Sequence, residues 1–239
     1  MIFRKKDGRL LLDLCFQEHW KKGAKSDDLA EGINRQRYRQ CYKQTQHLKN
    51  RKLIFENINI DDDPTAIEFF DDFSQLMNNA EFPSKHILHQ EGEICDKLFI
   101  IHQGLVRAFY YKDGKDITAH FAIENTSITA IDSFIQNKKS KYTIEVLENT
   151  NLSWVTHKEW YELLSNKPHY EKYARLFLEN IYIDIAERIE DLLFYTAKER
   201  YEKIAIKFPS LLQRVNLGHI ASYIGITQET LSRIRAENK

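Results

Sequence analysis

The spacing of apolar residues changes character several times along this chain. After Asp63 and Pro64, the segment TAIEFFDDFSQLM places Ile67, Phe70, Phe73 and Leu76 at helical intervals. From Glu81 to about Val155 the pattern becomes one of short runs: HILHQEGE, KLFIIHQGLVRAFYYKDGKDITAHFAI and YTIEVLENTNLSWV. Their Ile, Phe, Tyr, Thr and Val content suits pleated, half-buried strands. Gly92, Gly104 and Gly114 punctuate them, which predicts a compact antiparallel barrel or jelly roll. Asp113 and Gly114 predict a two-residue hairpin, because both turn positions favour left-handed dihedrals.

After Pro168 the period returns to that of a helix, from His169 to Lys198. Tyr173, Leu176, Phe177, Ile181, Ile185, Ile189, Leu192 and Leu193 recur every three or four residues. At 1.5 Å per residue this is about 45 Å of helix. One small barrel cannot cover that length, so the stripe predicts a partner helix from a second copy. The plainer alternative is a helix packed on its own domain. A further helix over ERYEKIAIKF is expected to stop at Pro209.

The last segment, NLGHIASYIGITQETLSRIR, predicts two short helices and a tight turn. Asn216 caps the first, whose apolar positions are Leu217, Ile220, Ala221 and Ile224. Ala221 is small where two helices must approach, and Gly225 supplies the left-handed residue that ends the helix. Ile226 plugs the angle, Thr227 caps the second helix, and Glu229 suits its positive end. Leu231 and Ile234 then face inward. Gln228, Glu229, Ser232, Arg233 and Arg235 stay outside, where Arg can pair with guanine, Gln with adenine and Glu with cytosine. This is the pattern of a helix-turn-helix that reads double-stranded DNA.

Composition narrows the setting. The chain has 239 residues, enough for two modest domains, with 35 basic and 35 acidic side chains. The balance hides a distribution: the first fifty residues and the C-terminal end are basic, and the middle is acidic. The stretch RQRYRQCYKQTQHLKNRK, from Arg35 to Lys52, reads as a flexible basic extension. Leu10, Leu11 and Leu12 follow Arg4, Lys5 and Lys6, but Asp13 ends the run too early for a signal peptide. No stretch is long and apolar enough to span a bilayer. Cys15, Cys41 and Cys95 lie far apart, arguing against a disulfide framework or a zinc site and for a reducing cytoplasm.

Two signatures together resemble the Crp/Fnr family of bacterial regulators: EGEICDKLFIIHQGLVRAFYYKDGKDIT and IGITQETLSRIR. The resemblance runs from about Asp63 to Lys239. It implies an α+β chain with an N-terminal double-stranded β-helix, a jelly-roll-like β-roll, as sensor. A long dimerisation helix and a C-terminal helix-turn-helix domain follow. The organisation expected is a basic extension over 1–55, a sensor domain over 56–168, a dimerisation helix over 169–198 and a DNA-binding domain over 199–239. Gln228, Glu229 and Arg233 fall where the family places base-reading residues, with Thr227 and Ser232 as phosphate contacts. The implied partners are promoter DNA, a second copy, RNA polymerase and a small-molecule effector. The sequence stops at Lys239, so no β-wing is expected after the recognition helix.

The effector is where the sequence departs from the family. Its cyclic-nucleotide binders hold the cyclic phosphate with an Arg and backbone N–H groups, and the ribose with a Glu. Here Ala130 stands near the Glu position and Ser140 near the Arg, within an effector pocket expected from Ala130, Ile131, Asp132, Ser133, Ser140, Lys141 and Tyr142. Lysine beside Ser140 supplies charge without a planar fork. A cyclic nucleotide in the usual pose is therefore not expected, nor is a metal or iron–sulfur cofactor. A cupin-like metal enzyme would need His86, His89, Glu91, His102 or His120, but His86 and His89 would point to opposite faces of a strand. The other rival is a dimeric interaction module that does not bind DNA.

Overall fold

Asp63 accepts hydrogen bonds from the backbone N–H groups of Thr65 (3.0 Å) and Ala66 (3.3 Å) and so caps α1, Pro64–Leu76. The computed structural model describes residues 63–237, and the basic extension lies outside the described residues. The buried face of α1 is Ala66, Phe69, Phe70 and Phe73, while Ile67 and Leu76 are only half-buried. Phe69 turns the helix this way, because it stacks on Phe73 (5.8 Å between centroids) and on Tyr173 (5.0 Å).

Eight antiparallel strands follow: β1 Asn78–Phe82, β2 Ile87–His89, β3 Lys97–Gln103, β4 Val106–Lys112, β5 Lys115–Ala122, β6 Ser127–Ile128, β7 Thr143–Val146 and β8 Thr150–Thr156. They form two four-stranded sheets, ordered β1-β8-β3-β6 and β2-β7-β4-β5. A core of Phe99, Ile101, Val106, Ile144, Val146 and Leu152 fills the space between them. The predicted hairpin joins β4 to β5 through Asp113 (φ 52°) and Gly114 (φ 73°). At Gly104 (φ 112°) any Cβ would lie 2.3 Å from Thr150 Oγ1, so the crossing of chains there admits only glycine. A short helix, α2 Ile131–Gln136, interrupts the strands after β6.

β8 runs into α3, His157–Asn166, through a capping box in which Thr156 and Glu159 satisfy each other's backbone N–H groups. A 3-10 turn, Pro168–Tyr170, leads to the long helix α4, Glu171–Phe194. Its base is fastened to α1. Tyr173 donates to Asp63 Oδ2 (2.8 Å), Tyr170 donates to Asp72 Oδ2 (2.7 Å), and Lys167 bridges Glu68 and Asp72. Tyr173 and Phe177, expected to face a partner helix, lie instead in the protein's own core with Trp160, Phe69 and Phe73. Leu176 and Ile181 are half-buried against the same cluster.

The helical run expected to continue to Lys198 ends at Phe194. Tyr195 is extended, and Thr196 opens α5, Ala197–Lys207, with a second capping box to Glu199. The Thr-x-x-Glu spacing was legible as a helix start. α5 folds back along α4, with Lys203 on Asp191 (2.5 Å) and Lys207 on Glu187 (2.9 Å). Three further helices close the chain: α6 Leu211–Arg214, α7 Leu217–Tyr223 and α8 Gln228–Glu237. Ile204, Leu211, Ile220, Ala221, Ile224 and Leu231 form their core, which Leu105 of the roll joins. Among the described residues no helix is long and apolar enough to cross a membrane.

Candidate nucleic-acid interface and effector cassette

The two helices at the C-terminal end take the shape their sequence predicts. Asn216 Oδ1 accepts from the His219 N–H (2.9 Å), and Gly225 adopts φ 74° after Ile224 closes α7. Ile226 packs half-buried into the core between the helices, and Ala221 is buried where they meet. Thr227 Oγ1 accepts from the Thr230 N–H (3.3 Å), and its carbonyl accepts from Leu231 (3.1 Å), which starts α8. Leu231 and Ile234 are buried.

The opposite face of α8 is free. Thr227, Gln228, Glu229, Ser232, Arg233 and Arg235 are all exposed. The Glu229 carboxylate is held below the usual range, by its own backbone N–H at the helix start and by the Thr227 hydroxyl, so it is ionised at neutral pH. Gln228 reaches back toward the start of α7, where its Oε1 would lie 3.2 Å from a Cβ on Gly218. The sequence thus brings a capped helix end, two anchoring apolar residues and a fringe of donors and acceptors onto one surface.

A second exposed face runs along α4. Along it, Leu178, Tyr182, Ile185, Ile189 and Leu192 are spaced four, three, four and three apart, and each is between 43 and 73 % exposed. That is the spacing of an a/d seam. Ile185, Ile189 and Leu192 were expected there. Leu178 and Tyr182 were not, because the expected stripe followed the residues that the roll itself buries. A strict 3.5-residue count from Leu192 backwards finds them. A hollow of about 470 Å³ lies beside the seam, lined by Arg175, Leu178, Glu179, Tyr182 and Ile183.

The expected effector residues gather around α2. Ala130 is buried in the core between the sheets. Ser133 Oγ accepts from the Cys95 N–H (2.9 Å) and donates to the Lys138 carbonyl. Ser140, 3 % exposed, accepts from the Tyr142 N–H (2.9 Å), and its backbone pairs with Gly92 and Glu93. Asp132 faces Lys138 (3.7 Å), Ile131 is half-buried and Lys141 is exposed. Tyr142 stands edge-on to Tyr110 (5.9 Å), and burial pushes its phenol up. The hydroxyls are thus spent on backbone groups, and no buried cation lies among these seven residues.

The histidines considered as metal ligands are dispersed. His89 is buried, His102 hydrogen-bonds Ser153 (2.9 Å) and His86 packs on Phe82 (4.7 Å). Among the described residues no three His, Cys, Asp or Glu side chains are grouped to hold an ion.

What sequence reasoning missed is the seat of the motif. α7 lies on the outer face of the sheet containing β5, and Thr118 donates its N–H to Ser222 Oγ (3.1 Å). Arg214 donates to both Glu124 and Glu148, and Phe121 packs on Tyr223 (5.2 Å). Arg188 of α4 lies over the Tyr223 ring at 3.9 Å. None of these pairs shares a local pattern.

Residues 80–167 match the family model of the cyclic nucleotide-binding domain. No curated protein matches the chain in sequence. The solved structure of CLP from Xanthomonas campestris, described as a c-di-GMP responsive global regulator linking cell-cell signalling to virulence gene expression, is similar at 12 % identity. Its TM-score is 0.58, over 72 % of this chain and 91 % of that one. FixK2 from Bradyrhizobium japonicum is similar at 14 % identity and TM-score 0.56, over 67 % and 83 %. A putative transcriptional regulator of the Crp/Fnr family from Eubacterium rectale is similar at 16 % identity and TM-score 0.56, over 70 % and 81 %. The shared architecture is the β-roll followed by a long helix and a group of C-terminal helices. The residues around α2 do not fit the ligand this domain implies, since the Ser133 and Ser140 hydroxyls are already taken by backbone groups and leave a cyclic phosphate no free donor there.

Proposed function

We propose that this chain, built on the fold of the Crp/Fnr-type regulators, is a dimeric transcription regulator that binds double-stranded promoter DNA through α8. The observation that carries the reading is the outer face of α8. Gln228, Glu229, Ser232, Arg233 and Arg235 are exposed on a helix whose other side is anchored by Leu231 and Ile234. Such a helix can lie in a major groove with its N-terminal residues against base edges. Thr227 and Ser232 are the phosphate contacts in this reading.

The exposed seam of α4 supports the dimer. A row of five apolar side chains at 3.5-residue spacing is stable in water once a second copy covers it. Two copies then present two recognition helices to successive turns of the duplex. The β-roll acts as sensor for an effector other than a cyclic nucleotide held in the usual pose.

Titration of a labelled promoter fragment at several salt concentrations tests the reading. Sequence-specific binding with a steep negative slope of log K against log salt is expected. Undetectable or salt-insensitive association would sink it, leaving a dimeric interaction module as the better description.

A further inference from the structure

The seat of α7 on the roll has a polar centre. Arg107 of β4, 4 % exposed, donates from Nε to Glu145 (2.9 Å) and from both Nη groups to the two oxygens of Asp116 (2.7 Å each). Its guanidinium lies 4.0 Å over the Phe109 ring, and Nη1 also reaches Thr118 Oγ1 (3.3 Å). The last partner comes from the motif: His219 Nδ1 of α7, at 2.8 Å. A guanidinium has only donors. His219 must therefore accept through Nδ1 and be neutral, with its proton on Nε2. Protonation at Nδ1 removes this acceptor and sets two cations face to face.

We propose that the Arg107–His219 contact is a proton-sensitive latch, which keeps the helix-turn-helix seated on the β-roll while His219 is neutral and releases it when His219 is charged. The groups facing His219 are Arg107 of β4, Asp116 of β5 and Glu145 of β7. Burial first, and Arg107 second, push the seated imidazole below its ordinary value, against the opposing pull of the two carboxylates. Released, it returns to about 6.5. A group whose seated value is lowered binds its proton better in the released state. Seating is therefore at full strength above about pH 6.5 and weakens as pH falls below that and through the seated value.

The second polar cluster at this contact does not titrate in the same window. Arg214 lies between Glu124 and Glu148, and Glu124 stays below the usual carboxylate range. Burial opposes this, but Arg214 and the Gly104 N–H outweigh it. The β5 histidine, His120, faces Asp184 and Arg188 of α4 and Lys207 of α5 rather than His219.

The consequence for DNA rests on the regulator reading, whereas the latch itself does not. In a helix-turn-helix the first helix crosses the sugar-phosphate backbone. Here the side of α7 that carries His219 and Ser222 lies on the sheet. Seating therefore competes with that crossing, and release raises affinity for DNA.

The Thr118 N–H donates to Ser222 across this contact, so its hydrogen exchange reports seating directly. In the full-length, DNA-free protein, its protection, corrected for the intrinsic exchange rate, should fall several-fold between about pH 7.5 and about pH 5.5. In His219→Gln the amide oxygen still accepts from Arg107 but does not titrate, so protection should hold at both values. His120→Gln should keep the wild-type fall. An unchanged wild-type protection, or the same fall in His219→Gln, overturns the latch. On DNA, the wild type should gain affinity in acid relative to His219→Gln. Failure to bind DNA at any pH sinks the regulator reading and leaves the exchange experiment to decide the latch.

Discussion

Gly225, which turns the chain between the two helices of the motif, sits against Leu192, the last residue of the exposed seam on α4. A Cβ at Gly225 would lie 3.3 Å from Leu192 Cδ2, and its φ of 74° is one that side-chain-bearing residues rarely adopt. The turn that orients the helix proposed to read DNA thus lies against the helix proposed to pair two copies. Gly225→Ala should lower stability by about 1 kcal/mol or more, because strain adds to crowding. Thermal unfolding checks the stability, and promoter binding should weaken with it. A variant as stable as the parent would mean that Leu192 yields and the turn is not strained.

The seam itself makes a sharper claim. Ile185→Asp with Ile189→Asp places two carboxylates on the centre of the row and should leave a monomer at micromolar concentration. Sedimentation measures this, while circular dichroism establishes that the fold persists, since both residues are exposed already. A dimer that survives the pair of substitutions would place the contact between copies elsewhere.

On the reading face, Arg233→Ala should lower affinity for the cognate site by about 1–3 kcal/mol and relax sequence preference at one base position. Comparison of substituted operators distinguishes this from loss of a phosphate contact. An equal drop on every sequence would give Arg233 the latter role.

The cassette around α2 predicts a negative result with a clear opposite. Ser133 and Ser140 spend their hydroxyls on the backbone, and Ala130 lies in the core. Calorimetry with cyclic AMP and cyclic GMP should show no saturable heat. Micromolar affinity for either would require α2 to open and would reverse the assignment.

Acid should act on the Arg214 cluster much later than on His219. The Glu124 value is depressed in the folded chain, so its contribution is present above the unfolded value of about 4.3 and is lost only as pH falls through the folded one. Thermal unfolding of Glu124→Gln should therefore lie below the wild type at pH 7, and the gap should close in strong acid. A constant gap across that range would assign the effect to packing rather than charge.

Local signals in the chain were sufficient for several of its elements, though not for the helices α2, α3 and α6. Asp63, Asn216 and Thr227 act within three residues of themselves as caps, Asp113 and Gly114 set a hairpin through their own dihedrals, and Gly225 ends a helix. Thr196 and Glu199 were equally local and would have divided the long helical run correctly. The stripe on α4 was legible as apolar but not as two different faces. Tyr173 and Phe177 obey the same period as Ile185 and Ile189, and only the position of Trp160, Phe69 and Phe73 decides which turns the roll covers.

The amino-acid sequence alone therefore determined that a strand-rich roll, a long helix and two capped helices with an exposed polar face exist, because each depends on neighbours a few positions away. Tertiary structure alone decided what those parts touch. Arg107 and His219 stand 112 positions apart, and neither residue type announces a partner. A buried guanidinium needs acceptors from whichever surfaces close around it, so its environment follows from which faces meet in space.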